Sequence, residues 1–486
     1  MKLVLAKHVV PGGTQAPLCP GAVLISEGRI VDLGPPRGLR QKYPQTDVMD
    51  LGDAILLPGF VNAHQHGRGL SQIQLGYPDD QLEPWIARRR GRGVPDAYLL
   101  TRLAAQSMLA NGVTATLHAN YSYGSGDYEA ELRGVLRAYD EAGLRATVCV
   151  GFADRGGLIY PPADETAFRE TLSLGAQALL AKAKPAYLPL DATLNLMDRL
   201  LAEYANHPTI SLAYGPAGPQ WVSDRAWREI ASHAAGTGAG IHFHLLESPA
   251  QRQAADALYP EGVLTRLEHL GLFETSVSAA HFVQARPADI AAALRLGLVI
   301  VANPGANMRL HNGVPALADW REAGLPIALG TDNCGLDDNE DYLSELRLGG
   351  LLARGTGAST AGASSRFALA MGTRNGAKAI FQPDCGLIDR GCRADLIALD
   401  PSKARGVYLD PDCDLLDLVI ARCTGDDTLM TMVEGEVRYQ RGDPAGKTSG
   451  DAARMATAVR LAGPDAPSKA SEIATALHTH INEAGY

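Results

Sequence analysis

The chain has 486 residues, of which 46 % are hydrophobic and 20 % charged, a balance that excludes disorder as the default and supports a sizeable packed core. Its 44 Lys and Arg stand against 54 Asp and Glu, a net charge of −10; the one dense basic run, Arg88 to Arg90 with Arg92, reads as a solvated helix face, so nucleic acid is not an expected partner. Seven cysteines without CxxC spacing signal neither a disulfide framework nor a zinc finger, and they fit a reducing cytoplasm.

The opening MKLVLAKHVVPGG is interrupted by Lys7 and His8 and is too short and polar for a signal core. No apolar run of about 18 residues follows, so no membrane partner is expected. Residues 1–57 read as short strands divided by turn chemistry: KLVLAKHVV, then GAVLISEGRIVDLG around Glu27-Gly28, then AILLPGF. From Pro58 to about Asp384, buried apolar runs alternate with Ala/Leu-rich helical stretches, the pattern of repeated βα units. Eight runs stand out in chain order: GFVNAHQH, GVTATLHANY, ATVCVGFAD, ISLAYGP, GIHFHLLES, VSAAHFV, LVIVANPG and PIALGTD. Short strand patterns return in ADLIALD and TMVEGEVRYQRG. The expected fold is α/β: a (β/α)8 TIM barrel over residues 58–384 beside a small composite β-sandwich domain formed by residues 1–57 and 385–442. Residues 443–486 read as a polar, Ala-rich helical tail carrying no chemistry.

Chemistry gathers at the ends of the runs. His64 and His66 close the first, and a strand puts residues i and i+2 on one face, so both imidazoles can point into the barrel mouth. Alone, such a pair is equally compatible with two ordinary polar histidines. Three later runs end in the same kind of group: His244 closes GIHFH, His281 closes VSAAH and Asp332 closes PIALGTD. Neutral imidazole and carboxylate suit a borderline divalent metal, zinc or iron, and three or four such ligands with one open position make a catalytic site. Recurrence at so many strand ends points to a metal centre.

Through PGFVNAHQH, HFHLLES, AAH, LGTDN and GLIDRGCRADLIALD, the chain resembles the amidohydrolase superfamily over nearly its whole length, in the branch of guanine and cytosine deaminases and s-triazine hydrolases. The resemblance implies that His64, His66, His244 and Asp332 hold a divalent metal, zinc first with iron as the alternative, while Glu247 and His281 lie around the bound water. Two-metal relatives carry a modified lysine at the end of the fourth strand. Here that run is ISLAYGPAG, and the only lysines between Pro58 and Asp332 are Lys182 and Lys184, which fall between units, so one metal is expected. Such a metal brings the pKa of water to about 7. Asp332 is placed to take the water proton, Glu247 to protonate a substrate nitrogen and later the leaving group, and His281 to orient the nucleophile or polarise the electrophile.

The expected activity is hydrolysis of non-peptide C–N bonds in a small molecule, with deamination of a nitrogen heterocycle as the first reading. Amide, urea or (thio)carbamate hydrolysis is the second, and a non-catalytic binding barrel is a third that a complete ligand set disfavours. By the same resemblance the protein is expected to be a cytoplasmic homo-oligomer. Weaker substrate-contact candidates are Arg68 and Trp85 beyond the first strand, His118 with Asn120 after the second, Arg155 after GFAD, and Gln220 and Trp221 in GPAGPQWVS. Two departures bear on substrate. Ala217 stands where many nucleobase-type relatives have a histidine, which argues against adenosine-like substrates and toward triazine-type ones. Relatives carry a serine and an asparagine in a TDxxxSN run, whereas here the run is TDNCGLDDNED, made acidic by Asp337 and Asp338, which changes the contact to substrate or leaving group.

Overall fold

The N-terminal turn chemistry resolves into six short strands in a computed structural model that describes residues 1–70, 73–76, 78–332, 339–355, 365–442, 453–454, 457 and 466–483. They are β1 (Lys2–Ala6), β2 (His8–Val9), β3 (Gly21–Ser26), β4 (Arg29–Gly34), β5 (Asp47–Asp50) and β6 (Ile55–Pro58). β3 and β4 form a hairpin at Glu27-Gly28, with φ of 50° and 71°. Positive φ at both central residues is what a tight two-residue hairpin turn requires, and glycine meets it without strain.

Each of the eight apolar runs then becomes one barrel strand: β7 (Phe60–Gln65), β8 (Val113–His118), β9 (Arg145–Phe152), β10 (Ile210–Pro216), β11 (Ile241–Leu245), β12 (Val277–His281), β13 (Val299–Ala302) and β14 (Ile327–Leu329). They pair in parallel, in sequence order, and Gln65 bridges Asp332 so that the last unit meets the first. Covered on both faces, these strands read as nearly continuous apolar runs rather than alternating ones. Phe60, Val148, Phe243, Ile300 and Leu329 face outward to the helices, while Val61, Ala63, Ala115, Leu117, Cys149, Ala213, Val301 and Ala328 fill the barrel interior.

The chain returns as β15 (Leu396–Leu399), β16 (Thr428–Val433) and β17 (Glu436–Gln440). β15 pairs antiparallel with β6, giving a five-stranded sheet β17-β16-β15-β6-β2 that packs on the four-stranded sheet β4-β3-β1-β5. Val4, Val23, Ile25, Leu56, Leu396, Ala398 and Met432 form their shared core. The barrel and the composite sandwich are therefore both present as expected. A buried ion network joins them: Arg145 on β9 meets Asp395 at 2.6 Å and also Glu434, with both Arg145 and Asp395 about 1 % exposed. Removing one partner strands a buried charge, so Asp395→Ala is expected to lower stability by about 3–5 kcal/mol in urea unfolding. A loss below about 1 kcal/mol would show the network to be incidental.

The basic run departs from expectation. The helix Leu82–Arg88 and the turn Arg89–Gly91 are covered by a C-terminal helix, Ala466–Glu483, with Ile473, Ala474 and Leu477 against Ala87, Leu158 and Phe168. Gly91 admits this approach, since a Cβ there would stand 3.0 Å from the Ala470 side chain. Arg88 bonds Asp80 at 2.9 Å, Arg89 lies 5.5 Å from the Trp85 ring, and the Nε atoms of Arg90 and Arg92 are buried. The run is thus folded in beneath the tail and is not a solvated face. No helix among the described residues is long and apolar enough to cross a membrane.

Candidate metal centre

The mouth of the barrel gathers the expected groups. A register irregularity in β7 between Asn62 and Gln65 changes which residues point inward: Val61 and Ala63 belong to the interior cluster, whereas Gln65 turns outward to donate to the Tyr139 hydroxyl at 2.8 Å. His64 and His66 consequently both face inward, where the His64 ring lies 4.9 Å from that of His244 and 5.3 Å from that of His281. Such a bulge beside an active site re-aims side chains. Ligand atoms of His64, His244 and His281, of His64, His66 and Asp332, and of Glu247, His281 and Asp332 form three overlapping groups, each within 4.8 Å.

Hydrogen bonds fix the tautomers. His66 Nδ1 contacts the Ala119 carbonyl at 2.6 Å and His244 Nδ1 the Ala217 carbonyl at 2.8 Å; a carbonyl only accepts, so each Nδ1 carries the proton and each Nε2 a lone pair. His66 Nε2 then stands 2.9 Å from Asp332 Oδ1 and His64 Nε2 stands 3.5 Å from the same oxygen. Lone pair facing carboxylate oxygen at that distance is repulsive unless a cation lies between them. A proton is a poor candidate for that cation, because burial holds His66 well below the ordinary imidazole range and His244 down to about 3. The donor set fits one divalent metal.

His281 differs. The amide Nδ2 of Asn307 donates to its Nδ1 at 2.9 Å, with Asn303 Nδ2 at 3.4 Å, which leaves the ring proton on Nε2, 3.6 Å from Glu247 Oε2. His281 is therefore a donor beside the cluster rather than a lone-pair ligand. Glu247 is buried at the start of the chain's exit from β11; Ser248 caps the following helix Pro249–Leu258 by accepting from Gln251 N at 3.2 Å. Its carboxyl accepts from Asn312 Nδ2 at 2.9 Å and Gln251 Nε2 at 3.2 Å. Burial, reinforced by the charges of Asp332 and Glu83, pushes Glu247 well above the usual carboxylate range. At Asp332 burial pulls upward too, but positive charge at the Nε2 edges of His64 and His66 outweighs it and holds the group well below that range; with lone pairs on both Nε2 atoms, that charge is a metal ion's to supply. The two carboxyls of one cavity are shifted in opposite directions. Leu246, His281 and Asp332 all adopt positive φ, 49°, 78° and 55°, a costly geometry for non-glycine residues that concentrates at functional sites.

The remaining candidates separate. His118 points outward, bonding Tyr139 at 2.9 Å, and Asn120 donates to Tyr128, so neither enters the mouth; even parity on β8 faces the helices. Arg155 bonds the Pro219 carbonyl and the Tyr259 hydroxyl, bracing the loop that carries Gln220 and Trp221. Trp221 reaches the site, edge-on to His244 at 6.5 Å, and Gln220 is buried. Arg68 lies 5.9 Å from the Trp85 ring. Asp337 is outside the described residues. Lys182 and Lys184 are exposed, Lys184 donating to the Ser125 carbonyl.

Two contributors went unread in the sequence. The Tyr121 hydroxyl lies 2.9 Å from His244 Nε2, its ring stacked on His66 at 4.3 Å. His242, two residues before His244 and thus on the same inward face, orients His64 through a chain of three 2.8 Å bonds. Ser278 Oγ donates to the Ala379 carbonyl, so it accepts from His242 Nδ1–H; His242 Nε2 accepts from His64 Nδ1–H, which frees His64 Nε2 for a cation. The repeated His in GIHFH was the available signal. His242→Phe is expected to weaken metal affinity about 10–100-fold in chelator competition, with His242→Gln, whose amide oxygen accepts, recovering part. Unchanged affinity in the Phe variant would remove the chain from this role.

A (β/α)8 barrel whose strand ends bring lone-pair imidazoles and two oppositely shifted carboxyls together defines a metal-dependent hydrolase. The chain belongs to the amidohydrolase family, whose profile matches residues 55–438; a bacterial imidazolonepropionase-like composite domain matches residues 21–45. Membership makes it a hydrolase. It is 27 % identical over 430 residues to a 5-methylthioadenosine/S-adenosylhomocysteine deaminase of Moorella thermoacetica, spanning 87 % of this chain and 90 % of that one. A 5′-deoxyadenosine deaminase of Methanosarcina mazei is 26 % identical over 426 residues, spanning 86 % and 88 %. Among solved structures, the fold is shared with zinc-bound atrazine chlorohydrolase from Arthrobacter aurescens (TM-score 0.73, 20 % identity, 94 % and 100 % covered). It is shared equally with a zinc-bound adenosine deaminase from Xanthomonas campestris (TM-score 0.73, 22 % identity, 93 % and 97 % covered).

Proposed function

We propose that the protein deaminates an amino-substituted nitrogen heterocycle, using a single zinc ion held by His64, His66, His244 and Asp332. The observation that carries this reading is the geometry of one cluster: the Nε2 atoms of His64 and His66 face Asp332 at 3.5 and 2.9 Å, and buried Glu247, held well above the carboxylate range, lies beside them. A divalent ion in this set supplies nucleophilic water at neutral pH. Asp332, ionised, accepts the water proton. Glu247 delivers its own proton to the ring nitrogen beside the amino-bearing carbon as water adds there, then relays a proton to the departing amine. The Nε2–H of His281 orients the oxygen, and Asn303 and Asn307 hold that tautomer. Water is consumed, a carbonyl replaces the amino-bearing C=N, and ammonia leaves.

Ala217 argued against adenosine-like substrates, yet several curated relatives are named as deaminases of 5′-modified adenosines over most of their length. In this chain Ala217 contributes its carbonyl to His244 rather than a side chain to substrate, so such adenosines stay in the test set. Aminopurines, 5′-modified adenosines, pterins, triazines, ureas and carbamates are to be assayed together for ammonia and for alkyl- or arylamine. Ammonia from a heterocycle is the expected result; amine release from a urea or carbamate, without ammonia, would replace deamination by the second reading. The same proposal includes a cytoplasmic homo-oligomer without nucleic-acid partners, for which sedimentation and nucleic-acid retention are the checks.

A further inference from the structure

Three imidazole lone pairs converge at the barrel mouth, and among the described residues only that of His244 meets a hydrogen-bond donor. His64 Nε2 and His66 Nε2 are buried with no such partner. His244 Nε2 has one, the Tyr121 hydroxyl at 2.9 Å. The far side of the ring fixes the direction of that bond: His244 Nδ1–H is given to the Ala217 carbonyl at 2.8 Å, so Nε2 can only accept and the tyrosine O–H donates. A metal ion held by His244 must take the same lone pair. Tyr121 and the metal therefore exclude one another at this atom.

The loop after β8 holds the hydroxyl in place. On one side of Tyr121, Asn120 Nδ2 donates to the Tyr128 hydroxyl at 3.0 Å; on the other, the Tyr123 hydroxyl donates to the His66 carbonyl at 3.1 Å. Glu131 accepts the backbone N–H groups of Tyr123 and Ser125 at 2.7 and 2.8 Å, and Lys184 Nζ donates to the Ser125 carbonyl at 2.5 Å. The Tyr121 ring is stacked on His66, with centroids 4.3 Å and planes 21° apart, and lies 5.5 Å from the His244 ring at 18°. With the backbone strapped on both sides, release of His244 needs only the Tyr121 side chain to move. A buried acceptor left without a donor costs more than an ordinary hydrogen bond gains. Tyr121 thus lowers the free energy of the empty site, and whatever favours the empty state over the loaded one reduces metal affinity by the same amount.

We propose that Tyr121 is a placeholder for the metal: its hydroxyl caps the His244 lone pair while the site is empty, is displaced when the ion enters, and so sets how tightly the ion is held. This rests on the metal reading of the site and is independent of which bond the enzyme breaks. It is opposite in sign to a role as ligand or as packing. A tyrosine that ligates the metal or only supports the site strengthens binding, and its loss weakens it; loss of a placeholder tightens binding.

The test is zinc binding to metal-stripped protein, read by competition with a chromophoric chelator, for the native chain, Tyr121→Phe and Tyr123→Phe. Phenylalanine at 121 keeps the ring stack on His66 and removes only the hydroxyl. Tyr121→Phe is expected to bind zinc about three- to tenfold more tightly than the native chain, with circular dichroism unchanged. Tyr123→Phe, which loses a bond to a carbonyl outside the lone-pair set, is expected to bind no more tightly than the native chain. A readout free of substitution comes from the native protein: adding zinc is expected to give a near-ultraviolet tyrosine difference spectrum, as a buried phenol loses its acceptor, and Tyr121→Phe is expected to lack it. Unchanged or weaker zinc affinity in Tyr121→Phe, the same tightening in Tyr123→Phe, or no tyrosine difference spectrum in the native chain overturns the placeholder while leaving the metal site standing. A native chain that binds no zinc overturns both.

Discussion

Asp332→Asn is expected to abolish turnover, by at least about a thousandfold, and to leave the purified protein with well under one metal per chain while its circular dichroism is unchanged. Asparagine is chosen because Asp332 sits at φ 55°, a left-handed conformation that Asn tolerates better than Ala, so the backbone is kept and only the negative charge goes. That charge is what the site is built around. His66 Nε2 and His64 Nε2 present lone pairs to the same oxygen at 2.9 and 3.5 Å, and Asp332 brings a full negative charge to the ligand set. Without it the remaining imidazoles are neutral, a weaker cradle for a divalent ion, and the water loses its proton acceptor as well. Metal content by plasma emission and kcat/KM on the substrate found in the panel check the two effects independently. A variant that keeps a full complement of metal and works within about tenfold of the native rate would end the role given to Asp332.

How far the sequence could lead is seen at particular residues. The eight barrel runs were legible because strands buried on both faces must be apolar nearly throughout, and each run fell on an observed strand. His64, His66, His244, His281 and Asp332 were legible because barrels place chemistry at the C-terminal ends of strands. What sequence could not supply was local direction. His118 closes its strand as His244 does, yet it faces a helix, since the parity of β8 aims it at Tyr139; only the register irregularity in β7 lets His64 and His66 point inward together. The positive φ at His281 and Asp332 carries no compositional mark, because neither is glycine.

The arginine run failed for a related reason. The polar composition of Ala466–Glu483 does not say what its Ile473, Ala474 and Leu477 stripe packs on, which is Ala87, Leu158 and Phe168. That contact, hundreds of residues away in the chain, folds Arg88–Arg90 in beneath the C-terminal helix. Periodicity reports that a face is apolar; what covers it is a tertiary fact.

Glu247→Gln separates proton transfer from metal binding, and here the expected loss of rate, about 10²–10⁴-fold, comes with metal content unchanged. Gln keeps the shape of the side chain and its amide oxygen can still accept from Asn312 or Gln251, whose amide nitrogens donate to the native carboxyl at 2.9 and 3.2 Å, but it has no acidic proton to deliver. The pH dependence follows from the direction of the shift. Burial raises Glu247, so the competent, protonated form persists above the ordinary carboxylate range, and activity is lost as pH rises through the folded value. The same proton is held by the native chain after the unfolded chain has released it, so this group's contribution to stability also declines as pH rises from the ordinary carboxylate range toward the raised one. On the acid side, Asp332 is held low by His64 and His66, so its base function survives until pH falls well below the ordinary carboxylate range. The native enzyme therefore has an alkaline limb set by Glu247, and the Gln variant, working at its reduced rate, is expected to lack that limb in kcat against pH. An alkaline limb that persists unchanged in Glu247→Gln would assign it to another group, with the Nε2–H of His281 the next donor in line.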